Sequence, residues 1–248
     1  DSFADHYSQP RQFYISQTVC EQGHIVAALV FELSKCAEPG IRARIVAHLR
    51  NIDEDMAALV ADRLGLADMP APAPSARPTR TDLKPSLALS IQSNPPDSFK
   101  GRVMGVMLSD GFDGSLLAAL EKAVAKAGGL IKIIAPRVGG VPCSKNNLHA
   151  VHEKIGSAPS VLFDAVAILP GDDSLATTPA ALAFLTEAYQ HCKFIGWSEG
   201  ASALVAVCGL PGAEDKAFCA LTDTGSVEAF VNGCKALRHW PREVQFHI

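Results

Sequence analysis

Residues 102–135, RVMGVMLSDGFDGSLLAALEKAVAKAGGLIKIIA, read as strand, turn, helix, turn, strand. Arg102–Leu108 is a short apolar run that breaks at Ser109-Asp110-Gly111-Phe112-Asp113-Gly114. A helix is expected from Ser115 to Ala127, closed by Gly128-Gly129, with a second strand over Leu130–Ala135. The alternation continues outward. Ala165–Leu169 is a continuous apolar strand ended by Pro170-Gly171-Asp172-Asp173, and Pro179 opens a helix running to about His191. Phe194–Trp197 is the next strand, and helices follow from Glu199 to about Val207 and from Val227 to about Leu237. Short apolar runs without an exposed face imply parallel strands covered on both sides. Right-handed crossovers then give a doubly wound, three-layer α/β sandwich.

Upstream, the pattern is helical. Thr18-Val19-Cys20-Glu21 has the spacing of a capping box, and Ile25, Leu29 and Leu33 recur every four residues behind it with Val26 and Val30 alongside. Pro39 suits the first turn of a second helix, Asp53 the cap of a third, and Gly65 its end. Three short helices with one-sided stripes are expected to need a neighbouring chain or the second domain to cover them. Residues 70–96 hold seven prolines (70, 72, 74, 78, 85, 95, 96) and read as an extended linker, with Leu87, Leu89 and Ile91 alternating like a short edge strand. The division expected is 1–69 all-α, 70–100 Pro-rich linker and 101–248 α/β domain.

The 248 residues carry a net charge of -4 with 48% hydrophobic and 19% charged residues, and no Lys/Arg run exceeds two. A globular protein follows, without a nucleic-acid or anionic-membrane partner. No apolar run approaches the roughly 20 residues of a membrane span, no targeting segment is visible, and the compartment is not indicated. Seven cysteines (20, 36, 143, 192, 208, 219, 234) contain no C-x-x-C. They are expected to be inert buried thiols rather than zinc ligands, with Cys143, in a loop after Gly139-Gly140-Val141-Pro142, the one to test for reactivity.

Ligands in doubly wound folds sit beyond the carboxyl ends of the strands. Three loops reach that edge: Asp110–Asp113, Gly171–Asp173 and Ser198-Glu199. Gly196-Trp197-Ser198-Glu199-Gly200 is a literal G-x-S-x-G between strand and helix, the turn that exposes a serine nucleophile in hydrolases. Its partners would follow in the order Ser198, Asp223 or Glu228, then His239. Against this, only about fifty residues follow Ser198, and His239 lies where a helix ends and the tail begins, a position that favours a charge at the helix terminus. The carboxylates Asp110, Asp113, Asp172, Asp173 and Glu199 could alternatively gather a cation. No G-x-G-x-x-G or P-loop occurs, so nucleotide binding has no support.

Two resemblances gather these features. Asp5-His6-Tyr7-Ser8-Gln9-Pro10, Phe13-Tyr14, Glu21-Gln22, Phe31-Glu32-Leu33-Ser34-Lys35, Ile41-Arg42-Ala43-Arg44, Asn51-Ile52-Asp53 and Leu64-Gly65-Leu66 resemble the last helices of the haem catalase core. Gly101 to about Val207 resembles the class I glutamine-amidotransferase-like superfamily, which includes the PfpI-like intracellular proteases. The first resemblance, with an extra domain behind it, implies the tail of a large-subunit catalase whose parent converts hydrogen peroxide to oxygen and water with haem, in a homotetramer. The second implies a flavodoxin-like fold and an acidic residue, a Pro-Gly-Gly and a Cys-His at the active positions. Here Asp113, Pro170-Gly171-Asp172 and Ser198-Glu199 stand there instead, so a degenerate site at Asp113, Gly171, Asp172, Ser198 and Glu199 is expected, with no catalytic residue. Haem belongs to the parent, since catalases present the proximal tyrosine from R-x-x-x-Y and Arg11-Gln12-Phe13-Tyr14 has the wrong spacing. The partners implied are the upstream catalase core and homo-oligomer subunits. The rival readings are a holdase for unfolded client proteins and residual serine hydrolysis at Ser198.

Overall fold

The structure, a computed structural model, describes residues 4–210 and 215–245. The chain falls into two compact units, Asp1–Pro95 and Pro96–Ile248.

The first unit holds four helices: α1 (Ser8–Ile15), α2 (Val19–Ser34), α3 (Pro39–Leu49) and α4 (Glu54–Arg63). Three were expected; α1 is additional. The capping box forms as read: Thr18 Oγ1 accepts the Glu21 N–H while the Glu21 carboxylate accepts the Thr18 N–H at 2.8 Å. Pro39 opens α3, Asp53 accepts the Met56 N–H at 3.0 Å, and Gly65 closes α4 at φ 68°. The apolar stripe of α2 is covered in part within the unit. Val26 and Leu33 are buried against Val46, Leu49, Met56 and Val60, with Ile25 and Leu29 at the margin of that cluster. The helices therefore cover part of the stripe themselves, while Ile25 and Leu29 line an open apolar groove with Phe13 and Ile52. Full burial of Val26, Val46 and Val60 stabilises by roughly 1.5–3 kcal/mol each.

The proline-rich stretch is extended but tied down. Arg50 and Asn51 donate to the carbonyls of Pro70 and Ala73, Thr79 donates to the Asn51 carbonyl, and the Ser8 and Ser16 hydroxyls accept the N–H groups of Arg80 and Ser86. Prolines donate no N–H, so the side chains of the helices satisfy the few donors left. Leu87, Leu89 and Ile91 do not form an edge strand. Leu87–Leu89 is a 3₁₀ turn closed by Leu89 N–H to Ser86 O at 3.0 Å, and no strand lies alongside to pair with it.

Glu21 pins this strap: its carboxylate accepts the Ser90 hydroxyl at 2.7 Å and the N–H groups of Ile91 and Gln92 at 2.8 and 3.1 Å. Burial pushes the Glu21 carboxyl up, but these donors and Thr18 outweigh it and hold it below its ordinary 4.5. A depressed carboxyl contributes stability that is complete above its unfolded value and is lost as pH falls through the folded one. Protection of the Ile91 and Gln92 amides against hydrogen exchange is therefore expected to decline below about pH 4.5. In Glu21→Gln the loss should already be present at pH 7; unchanged protection in that variant would refute the pin.

The second unit is built on a six-stranded sheet, ordered β5-β2-β1-β6-β7-β8 and parallel throughout. Its strands are β1 (Val103–Leu108), β2 (Leu130–Ala135), β5 (Glu153–Lys154), β6 (Ala165–Leu169), β7 (Ile195–Trp197) and β8 (Phe218–Ala220). A separate hairpin pairs β3 (Val141–Pro142) with β4 (Leu148–His149). Alternate residues of β1 and β6 enter two cores. Met104, Val106, Leu108, Ala165, Ala167 and Leu169 join Leu117 and Leu120 of α5 (Gly114–Lys126) and Val227 and Phe230 of α8 (Thr224–Gly233). Met107, Val166 and Ile168 join Phe184 and Leu185 of α6 (Pro179–Gln190) and Leu204 of α7 (Ser202–Val207).

Among the described residues, no helix is long and apolar enough to cross a membrane. The helix expected from Glu199 begins as a 3₁₀ turn, Glu199–Ala201, before α7. The helix expected over Val227–Leu237 starts earlier, because Asp223 caps it, and ends at Gly233 in a 3₁₀ turn closed by Leu237 at φ 68°.

Candidate functional site

β1 and β6 are paired to their last residues, Leu108 opposite Leu169, so the two following loops leave the sheet side by side. Ser109 ties them: its hydroxyl donates to Asp172 at 2.8 Å and accepts the Gly171 N–H at 3.1 Å. Gly171 lies so close that a Cβ there would stand 2.2 Å from the Asp110 carbonyl oxygen and 2.4 Å from the Phe112 nitrogen. Only glycine permits that approach. The third loop joins through the Ser198 N–H, which donates to Ile168 O at 3.0 Å. The three loops picked out in the sequence do meet at the carboxyl edge.

Their carboxylates are engaged locally. Asp113 caps α5, accepting the Ser115 and Leu116 N–H groups and the Ser115 hydroxyl, whose hydrogen bond is the main cause holding its carboxyl below the usual range. Asp172 accepts the Ser174 and Ser109 hydroxyls, which lower it in the same way. Asp110 pairs with Arg137 at 2.8 Å. Asp173 and Glu199 are exposed. Among the described residues these carboxylates form no group tight enough to hold a metal ion.

The serine of the G-x-S-x-G turn is half-buried, with ordinary extended backbone at φ -94° and ψ 166° rather than a strained elbow. No described side chain hydrogen-bonds its hydroxyl. His239 is held at the opposite end of β7: its N–H donates to Cys192 O at 2.7 Å, and Arg238 donates to Asp164 O ahead of β6. Cys192 and Ser198 are six residues apart along a nearly extended chain, which separates them by roughly 15 Å or more. Burial pushes the His239 imidazole below its ordinary value, and the carboxylate beside it is Asp215 at 3.6 Å. Asp223 is occupied as the α8 cap, accepting the Ser226 N–H at 2.7 Å, and Glu228 faces the groove between α5 and α8. The order Ser198, Asp223 or Glu228, His239 exists in sequence but is not assembled in space.

Sequence reading missed two features here. Ser109 gives no periodic signal, although a hydroxyl directly after an apolar strand and before Asp-Gly is a loop-joining position. The hairpin β3–β4 was foreshadowed only by Gly139-Gly140 and Asn146-Asn147. It places Cys143, Lys145 and His149 around the first turn of α5, lining a cavity of about 230 Å³ together with Asp113.

With this geometry in place, comparison with known proteins is informative. Residues 1–64 match the family described as catalase-related immune-responsive, and residues 100–244 match the C-terminal domain found in long catalases. Catalase C of Rhizobium meliloti (strain 1021) is 47% identical over 246 residues, covering 98% of this chain and 35% of the relative. Catalase HPII of Pseudomonas putida is 35% identical, covering 98% of this chain and 34% of the relative. Catalase-2 of Bacillus subtilis (strain 168) is 30% identical, with 98% and 35% covered. The chain thus spans about a third of the length of these relatives. By the match over residues 100–244, on a parallel α/β sheet of the kind its sequence implies, the chain belongs to the family of the C-terminal domain found in long catalases.

Proposed function

We propose that this chain is the non-catalytic closing part of a large-subunit catalase. In this reading the parent dismutates hydrogen peroxide with haem as a homotetramer, and the chain contributes stability and inter-subunit contact. Residues 70–100 connect the catalase-related helices to a flavodoxin-like, doubly wound three-layer domain. The observation that carries the reading is the separation of Ser198 from every candidate base. A serine hydroxyl needs such a base to act as a nucleophile, and none of the acids Asp113, Asp172 and Glu199 replaces it. An exposed Glu199 beside the serine also opposes an oxyanion.

The residues present do not fit haem. Tyr7 is buried with its hydroxyl 2.8 Å from His48 Nδ1, Tyr14 lies in the helical core, and Tyr189 is buried beneath the Arg242 guanidinium, 4.2 Å from its ring. Within this reading no haem step passes through these residues.

Two measurements test the proposal. A fluorophosphonate probe is expected to leave Ser198 unmodified by mass spectrometry; stoichiometric labelling that disappears in Ser198→Ala would show an active nucleophile and defeat it. In the full-length parent, deleting residues 96–248 should leave haem content and initial peroxide turnover largely intact while shortening the half-life at elevated temperature several-fold. An unaltered half-life and oligomeric state would remove the stabilising role.

A further inference from the structure

The cavity at the first turn of α5 brings together groups that the reading above does not use. The hairpin that builds it is fixed from both sides. Cys143 N–H donates to Asn147 O at 2.9 Å, Ser144 N–H donates to Phe112 O at 2.9 Å, and His149 stands edge-on to the Phe112 ring with centroids 5.1 Å apart. Gly114 leaves the space in front of them open. A Cβ there would stand 3.4 Å from Cys143 Sγ and 3.8 Å from His149 Nε2, so thiol and imidazole face one small volume. Lys145 lines the same cavity. Asp113 lines it too, with its Oδ1 held by the α5 amides and Ser115. Cys143 is only 3% exposed, so the cavity suits a small uncharged reactant rather than a bulky one.

We propose that Cys143 is a peroxide-reactive thiol, oxidised in this cavity by hydrogen peroxide with His149 as the proton-transfer group. One water in the cavity relays the thiol proton to Nε2 of His149, and Sγ attacks one peroxide oxygen. The S–O bond forms as the O–O bond breaks, and the departing hydroxide recovers the proton from His149 and leaves as water. Sulfur is oxidised to sulfenic acid and one peroxide is reduced, so thiol plus hydrogen peroxide gives sulfenic acid plus water. Lys145 stabilises the departing hydroxide from the cavity wall. The other buried thiols lack such a setting: burial pushes Cys192 up to about 12 and raises Cys234 well above its ordinary value. This proposal is independent of whether Ser198 is inert.

The test uses the 248-residue chain, treated with hydrogen peroxide and then quenched at timed intervals into urea containing dimedone, so that the trap need not enter the cavity, and mapped by peptide mass spectrometry. Cys143 is expected to be trapped several-fold faster than the half-buried Cys36 of the helical unit. His149→Gln should slow trapping at Cys143 by about tenfold or more while leaving Cys36 unchanged, in line with the loss of a positioned proton acceptor. Gly114→Ala, which fills the open space, should slow it as well, with circular dichroism verifying the fold of both variants. Trapping at Cys143 no faster than at Cys36, or a rate indifferent to His149→Gln in a folded variant, would overturn the proposal.

Discussion

The structure of the second unit depends on taking two neighbouring strands out of water on both faces. Met104–Leu108 and Ala165–Leu169 are buried at every position, so their backbone groups have no solvent to turn to and must be satisfied by flanking strands. That requirement dictates parallel partners with helices above and below. It also fixes the register in which β1 and β6 end together. Because they end together, Ser109 and Pro170 leave the sheet side by side, and Gly171 is forced against the backbone of Asp110–Phe112. Between β1 and β6, where this fold usually opens a ligand cleft, the edge is instead filled by main-chain packing.

The same economy governs the polar groups at that edge. Asp113 and Asp172 carry the chemistry one would want in a site, yet in each of them one oxygen, Oδ1, accepts a nearby hydroxyl and first-turn amides. Each such cap is worth about 1 kcal/mol to the element it starts, and an oxygen so engaged is not aimed at a substrate. A catalytic edge needs polar groups with unmet capacity that converge on a cavity. At the Ser198 turn, capacity and cavity do not coincide.

What was legible follows from signal length. β2 and β6 match their expected bounds because each is a five- or six-residue apolar run stopped by Gly or Pro, and β1 differs by one residue. The edge strands β5 and β8 have two and three residues, too few for any period to register. Leu87, Leu89 and Ile91 show the opposite failure, since alternation alone imitated a strand where no partner could pair with it. Helical periodicity on α2 correctly announced an apolar face but carried no information on its cover, part of which came from α3 and α4. Of the site, the meeting of three loops was readable from topology. The commitment of Asp113 and Asp172 to local caps was not, because it depends on rotamers and distances of a few tenths of an ångström.

The two histidines show how topology could have sharpened the reading. A helix between parallel strands returns the chain to the amino edge of the sheet. A histidine six residues beyond the end of α8 is thus delivered to the end of β7 opposite Ser198, whatever the sequence order of a hydrolase would prefer. The connection after β2 behaves differently. β2 lies beside β1, so a loop leaving its carboxyl end falls next to the loop leaving β1, and that connection contains both Cys143 and His149. Strand adjacency, rather than spacing along the chain, decides which imidazole shares a cavity with a nucleophilic atom. In this fold it selects the pair in the β3–β4 hairpin over the serine of the G-x-S-x-G turn.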